Sequence, residues 1–184
     1  MNNFLGWVVG VDLWFNNFLY FYRSPSMITF FSWVTILGNT STIIILTIII
    51  STLLLSTHKK WHILMFLFTI ISSEAFTFLI KMLVHRQRPV NAIFAENSFS
   101  FPSGHANIAV AFYGFLVYLL LIKIKNKVHK TLLISVSFVL IFLIGFSRLY
   151  LGVHYLSDVL VGYLIGLLWL IVGIRLTNLK MFKE

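Results

Sequence analysis

The chain has 184 residues, 59% of them apolar and 10% charged, with a mean hydropathy of +0.95. A soluble domain carries roughly 25% charged residues, so this composition excludes one and points to a protein immersed in lipid. The absence of cysteine excludes disulfides, thiolate metal sites and a cysteine nucleophile, and the net charge of +9 comes without the basic stripe that would make nucleic acid an expected partner.

Residues 1–23 come first. Trp7, Val11, Trp14, Phe15, Phe18 and Tyr22 fall roughly on one helical stripe, with Asp12, Asn16 and Arg23 on another. That is the pattern of an interfacial helix rich in aromatic anchors; the alternative is a first span with Asp12 turned inward. No lysine or arginine precedes Arg23, so this start lacks the charged region of a secretory signal. Five apolar stretches follow, at residues 24–57, 61–83, 106–122, 131–146 and 155–174. Each is long enough, or nearly so, to cross the hydrocarbon, where helices are the economical way to satisfy backbone groups. The expected fold is all-α, an integral membrane helical bundle of five to six transmembrane helices of about 20 residues each. Residues 1–184 form one domain, with 1–23 as the interfacial helix or first span and 24–184 as the helical core.

Alternating crossings place the 58–60 and 123–130 connections and the carboxyl-terminal tail on one side. That side collects Lys59, Lys60, Lys123, Lys125, Lys127, Lys130, Lys180 and Lys183, so the positive-inside rule makes it cytoplasmic. The 84–105 and 149–154 connections then meet on the extracytoplasmic face. They carry three charged clusters that a bilayer would otherwise exclude, which makes them functional suspects.

The first cluster is Lys81-Met-Leu-Val-His-Arg-Gln-Arg88-Pro89. Pro89 ends any helical continuation, and Lys81 and Arg88 can neutralise phosphate oxygens, the arginine by paired hydrogen bonds and the lysine as a point charge. By themselves they equally fit a snorkelling interface pair. The second is Pro102-Ser103-Gly104-His105, where a loop passes into an apolar helix. Ser103 suits an N-cap, Gly104 lets a backbone N–H approach an anion, and helix N-termini are natural phosphate sites. His105 at that edge can donate a proton to a leaving oxygen, although a capped helix start with an incidental histidine has the same sequence. The third runs from Ser147 through Arg148 and His154 to Asp158. His154 and Asp158 are four apart and share a helical face. A carboxylate there can accept Nδ1–H and leave Nε2 free as a nucleophile, with Arg148 holding the oxygens of the transferred group; a structural His–Asp hydrogen bond is the plain alternative.

Taken in order, K-x6-R-P, P-S-G-H and S-R-x5-H-x3-D resemble the full signature of the type 2 phosphatidic acid phosphatase superfamily. The matching residues are Lys81, Arg88 and Pro89; Pro102, Ser103, Gly104 and His105; and Ser147, Arg148, His154 and Asp158. The resemblance implies a lipid phosphatase that needs no metal and no other cofactor. In it, His154 attacks phosphorus and forms a phosphohistidine, oriented by Asp158. His105 protonates the departing oxygen and then helps activate water. Lys81, Arg88, Ser103, Gly104 and Arg148 cradle the phosphate. The chemistry fits, since phosphoryl transfer rests mainly on positioning and on stabilising spread negative charge. Bacterial members of the family imply undecaprenyl pyrophosphate, phosphatidylglycerophosphate or phosphatidic acid as the membrane lipid substrate, met at the outer face of the cell membrane. An outward site favours the first of these.

Two readings compete. A lipid phosphotransferase would use the same residues, and a non-catalytic anionic-lipid-binding membrane protein would need the cations without the nucleophile and acid. Oligomeric state is not encoded in these motifs. Of the remaining acids, Glu74 reads as a helix–helix partner within a span, and Glu96 as a solvated loop acid with head-group recognition as the alternative.

Overall fold

Side-chain caps mark three of the helix starts. A computed structural model of the chain describes residues 2–56 and 59–181, and all regular structure among them is helical. Helix α1 spans Asn2–Phe21, α2 Pro25–Ile36, α3 Thr40–Leu55 and α4 Lys60–Val84; α5 is Gly104–Leu121, with a π-helical turn at Ala109–Tyr113, α6 is Lys127–Tyr150 and α7 Leu156–Met181. Ser24 caps α2, its hydroxyl accepting from Met27 N at 3.4 Å with Pro25 just inside the helix. Asn126 caps α6 through Val128 N at 2.8 Å. α4 ends at His85, whose φ of 52° is left-handed.

Helices α4, α5, α6 and the Leu156–Leu179 part of α7 are each long and apolar enough to cross a membrane, and α2 with α3 makes a fifth crossing if the pair, bent by 41°, is one span. α7 lies along α4 and α5, α2 runs along α6, α3 flanks α4, and α1 packs on α6 and α7. The centre is aromatic: Phe66, Phe112 and Phe115 are fully buried, with ring centroids 5.4 and 5.7 Å apart about Phe66. Such pairs add roughly 0.5–1.5 kcal/mol each beyond the area they bury. Gly162 and Gly166, one turn apart on α7, lie against the backbone of Ser103 and Asn107, where any Cβ would collide. Small residues at a membrane helix interface allow this close approach, and it draws the start of α5 onto the start of α7.

The apolar stretch expected over residues 24–57 is not one uninterrupted helix. It stops at Ile36 and restarts at Thr40. Gly38 lies in the break, where a Cβ would stand 2.9 Å from both His105 Cδ2 and Ile144 Cγ2. Glycine is a poor helix former, and Asn39 directs its side chain to His105 rather than to the start of α3. Helix α1 also differs from a surface-lying helix with a wet polar face. Asp12 and Asn16 are buried against the bundle, while Trp7, Trp14, Phe18 and Tyr22 point away from it. The inward Asp12 belongs to the first-span reading, yet α1 is not among the helices apolar enough to qualify as a span. The 58–60 connection and the basic tail at 180–184 fall partly outside the described residues.

Candidate active site

The site forms where the 85–103 loop closes over the ends of α5, α6 and α7. Backbone bonds fix the loop in place: Ser100 N donates to Arg86 O at 2.8 Å, Ile93 N to Leu151 O at 3.0 Å and Ser103 N to Asp158 O at 3.0 Å. Gly152, with φ of +68°, turns the chain between α6 and α7 and presents His154 to the loop.

His154 is 2% exposed. Its Nδ1 lies 3.5 Å from Asp158 Oδ2, at the limit of a hydrogen bond, and its Nε2 lies 3.1 Å from Arg88 Nη1. A guanidinium can only donate, so Nε2 is the lone-pair nitrogen and Nδ1 carries the proton. Burial pushes the imidazole down to about 4, Arg148 and Arg88 push the same way, and Asp158 opposes them. His154 is therefore neutral at physiological pH.

Asp158, in the first turn of α7, has each carboxylate oxygen engaged. Oδ1 pairs with Arg86 Nη1 at 2.7 Å, and Oδ2 accepts from Tyr155 N at 2.8 Å and from the Ser100 hydroxyl. Arg88 donates to Val153 O and Ser98 O, both at 2.8 Å, and to Ser98 Oγ at 3.0 Å. Arg148, 2% exposed, donates to Thr35 Oγ1 at 2.8 Å, and its Nε is buried without a partner, a donor left over for an anion. Between the two arginines lies Glu96, with Oε2 2.7 Å from Arg88 Nη2 and Oε1 on Arg148 Nη2. Burial by itself would raise the Glu96 carboxyl, but Arg148 and Arg88 outweigh it and hold the group below the usual carboxylate range. Glu96 is thus no solvated loop acid; its two oxygens stand where a planar pair of guanidinium forks would grip an oxyanion.

The remaining motif residues surround this centre. Lys81 Nζ donates to Phe99 O. Ser103 caps α5, its hydroxyl accepting from Ala106 N at 3.5 Å. His105 Nε2 is 2.8 Å from Asn39 Oδ1, and the ring is within electrostatic reach of Arg148, His154, Arg88 and Lys81. Beside Gly104 is Glu74, which accepts from Asn107 Nδ2 at 2.7 Å and so joins α4 to α5, the helix–helix role expected of it. All the candidate residues named from sequence lie in or border one region. Thr35, Asn39, Ser100, Arg86 and Asp12 also belong to it and were not assigned a role from sequence. Arg86 could have been suspected as one more cation in the first charged cluster, and Asp12 as an acid in an apolar helix. Nothing in the local sequence marks Asn39 or Thr35.

The sequence profile of the PAP2 superfamily matches residues 62–182, which covers every one of these motifs. The chain belongs to the PAP2 superfamily. Phosphatidylglycerophosphatase B of Bacillus subtilis is 34% identical over 149 residues, 79% of this chain and 73% of that protein. Among solved structures, the transmembrane PAP2-type phosphatidylglycerolphosphate phosphatase of Bacillus subtilis superposes with a TM-score of 0.87 at 30% identity, covering 93% of this chain and 86% of the other. Aquifex aeolicus LpxE gives 0.71 at 26% identity, covering 89% and 94%. This PAP2 protein is accordingly a multi-pass membrane protein and a phosphoric ester hydrolase of the lipid phosphatase kind.

Proposed function

We propose that the chain hydrolyses a membrane lipid phosphate or pyrophosphate at the extracytoplasmic face through a phosphohistidine on His154. The observation that carries this reading is the buried His154, its Nε2 beside Arg88, next to two arginines that already bind a carboxylate between them. In the first step Nε2 attacks phosphorus, the bond to the leaving oxygen breaks, and His105 supplies that oxygen with a proton. In the second, His105 takes a proton from water as it attacks the phosphohistidine, and inorganic phosphate leaves. Lys81, Arg88 and Arg148 stabilise the equatorial oxygens, with Ser103 and Gly104 at the start of α5 completing the cradle. Asp158 holds the Nδ1 proton and steadies the imidazole as it becomes cationic.

A lipid substrate is supported by a cavity of about 560 Å³ lined by Gly38, Ile43, Ile70, Phe78 and His105 among others. It lies between α3, α4 and the start of α5, so an acyl or prenyl chain in the bilayer would have its phosphate end at His105. The likeness to phosphatidylglycerophosphatase B favours phosphatidylglycerophosphate, whereas an outward-facing site favours undecaprenyl pyrophosphate; phosphatidic acid is the third candidate. Residues 1–184 act as one domain, α1 included.

The test is phosphate release by purified protein and by His154→Ala, both in excess EDTA, with the three lipids offered in parallel. Release by the wild type alone is expected, and the kcat/KM values rank the lipids. Equal release by the variant would overturn the assignment of His154. Transfer of the phosphoryl group to an added lipid alcohol, without free phosphate, would make the enzyme a phosphotransferase.

A further inference from the structure

Behind the proposed nucleophile, the charges continue into the first helix. Asp12, in the middle of α1, is 2% exposed and accepts hydrogen bonds from Ser157 N at 2.9 Å, Ser157 Oγ at 2.6 Å and Arg86 Nη2 at 2.6 Å. Arg86 turns its other nitrogen, Nη1, to Ser157 Oγ and Asp158 Oδ1, both at 2.7 Å, and its guanidinium carbon sits 4.2 Å from the centre of the Tyr155 ring. The guanidinium is therefore fixed from α1, from the turn before α7 and from α7 itself.

We propose that Asp12 and Arg86 are positioning residues for the reaction, forming with Asp158 and His154 a chain of alternating partners through which the docked α1 sets the nucleophile's geometry. This rests on the reading of His154 as nucleophile. Two features separate the arrangement from a simple anchor for α1. Asp12 caps the first turn of α7 from another helix, since Ser157 N is among the donors left open at a helix start. That turn carries Asp158, so the cap fixes the backbone from which the carboxylate projects. Arg86 also holds Oδ1 of Asp158, and this leaves Oδ2 as the oxygen turned to His154 Nδ1.

The charges act in opposite directions. Asp12 shares the positive charge of Arg86; once it is neutral, Arg86 draws more strongly on Asp158 and weakens the hold of that carboxylate on an imidazolium. Removal of Arg86 does the reverse and also frees Oδ1 to rotate. The other groups facing this chain stay constant: Arg88, Arg148, Glu96 and His105 around His154, and Lys81, Ser100 and Tyr155 around Asp158.

The experiment is the pH dependence of kcat and KM for full-length wild type, Asp12→Asn, Arg86→Gln and the double variant, with phosphatidylglycerophosphate in mixed micelles and His154→Ala as control. Each single variant is expected to lose roughly 10- to 100-fold in kcat, the size of effect seen when groups that orient a reactive side chain are removed. KM should stay within about twofold, because neither residue touches the phosphate cradle. The acid limb should move to lower pH in Asp12→Asn and to higher pH in Arg86→Gln. Where a single variant does not fold, the double variant is decisive, since it removes Asp12 and Arg86 together and leaves neither without the other. The double variant is expected to be as slow as Arg86→Gln. Folded variants with wild-type kcat and an unmoved acid limb would overturn the inference alone. A wild type without His154-dependent release would overturn the nucleophile assignment, and this inference with it.

Discussion

Arg88 Nη1 stands 3.1 Å from His154 Nε2, and the same nitrogen donates to Val153 O at 2.8 Å. The contact brings the cation that would hold a phosphate oxygen against the nitrogen that would attack its phosphorus. It also helps Arg148 and burial keep that nitrogen unprotonated.

The pH dependence follows directly. An exposed histidine would lose its nucleophilic form below about pH 6.5, but His154 holds it down to about 4. The acid limb of kcat/KM that belongs to His154 should therefore fall near pH 4, checked with a lipid whose own ionisation is measured separately. Stability moves in the same window. Between the unfolded value near 6.5 and the folded value near 4 the unfolded chain binds more protons, so stability declines as the pH falls through that range. Denaturation midpoints of wild type and His154→Gln, compared from pH 7 to pH 4, should converge as the pH drops.

Glu96 competes with the anion that the arginines would otherwise bind. Glu96→Gln should strengthen product inhibition by inorganic phosphate by about tenfold, equivalent to ~1.4 kcal/mol. Inhibition constants measured at fixed pH check this. An unchanged constant would mean that Glu96 stays in place while phosphate binds elsewhere.

The fork of Arg148 matters as much as its charge. It reaches Thr35 Oγ1 and Glu96 through separate nitrogens, with Nε still open. Lysine keeps the charge but not the planar donor array. Arg148→Lys should lower kcat by roughly 100- to 1000-fold, as removal of one preorganised donor does elsewhere. Steady-state kinetics on the preferred lipid measure it.

Gly38 tests the link between the broken helix and the acid. Gly38→Ala places a methyl 2.9 Å from the His105 ring and from Ile144. Overpacking of this kind costs about 1–3 kcal/mol, and the displaced ring should cut kcat well beyond what the lower melting temperature explains. Asn39→Ala, which removes the contact to His105 without adding bulk, should reproduce the kinetic loss with a smaller change in stability.

These residues also show which parts of the molecule are legible in its sequence. Hydrophobic length reveals the spans, because it follows from the cost of polar groups in hydrocarbon. His154 and Asp158 can be read as a pair because they are four apart, although His154 stands in the turn before α7 rather than on a shared helical face. The surroundings of the bend at 37–39 are not legible in that way: Asn39 meets the His105 ring, 66 residues further along the chain. The same holds for Asp12, whose aromatic neighbours suggest a surface helix while its real partners are Arg86 and Ser157. Glu96 reads as a loop acid because only the folded chain brings Arg88 and Arg148 to either side of it.

The most direct test of the central claim is a rapid quench into alkali during turnover of a lipid phosphate, followed by mass spectrometry of the peptide that contains His154. A phosphoryl adduct on His154 that forms and decays at the rate of turnover, and is absent from His154→Ala, is the expected result. An adduct on any other residue, or full turnover in His154→Ala, would contradict the account.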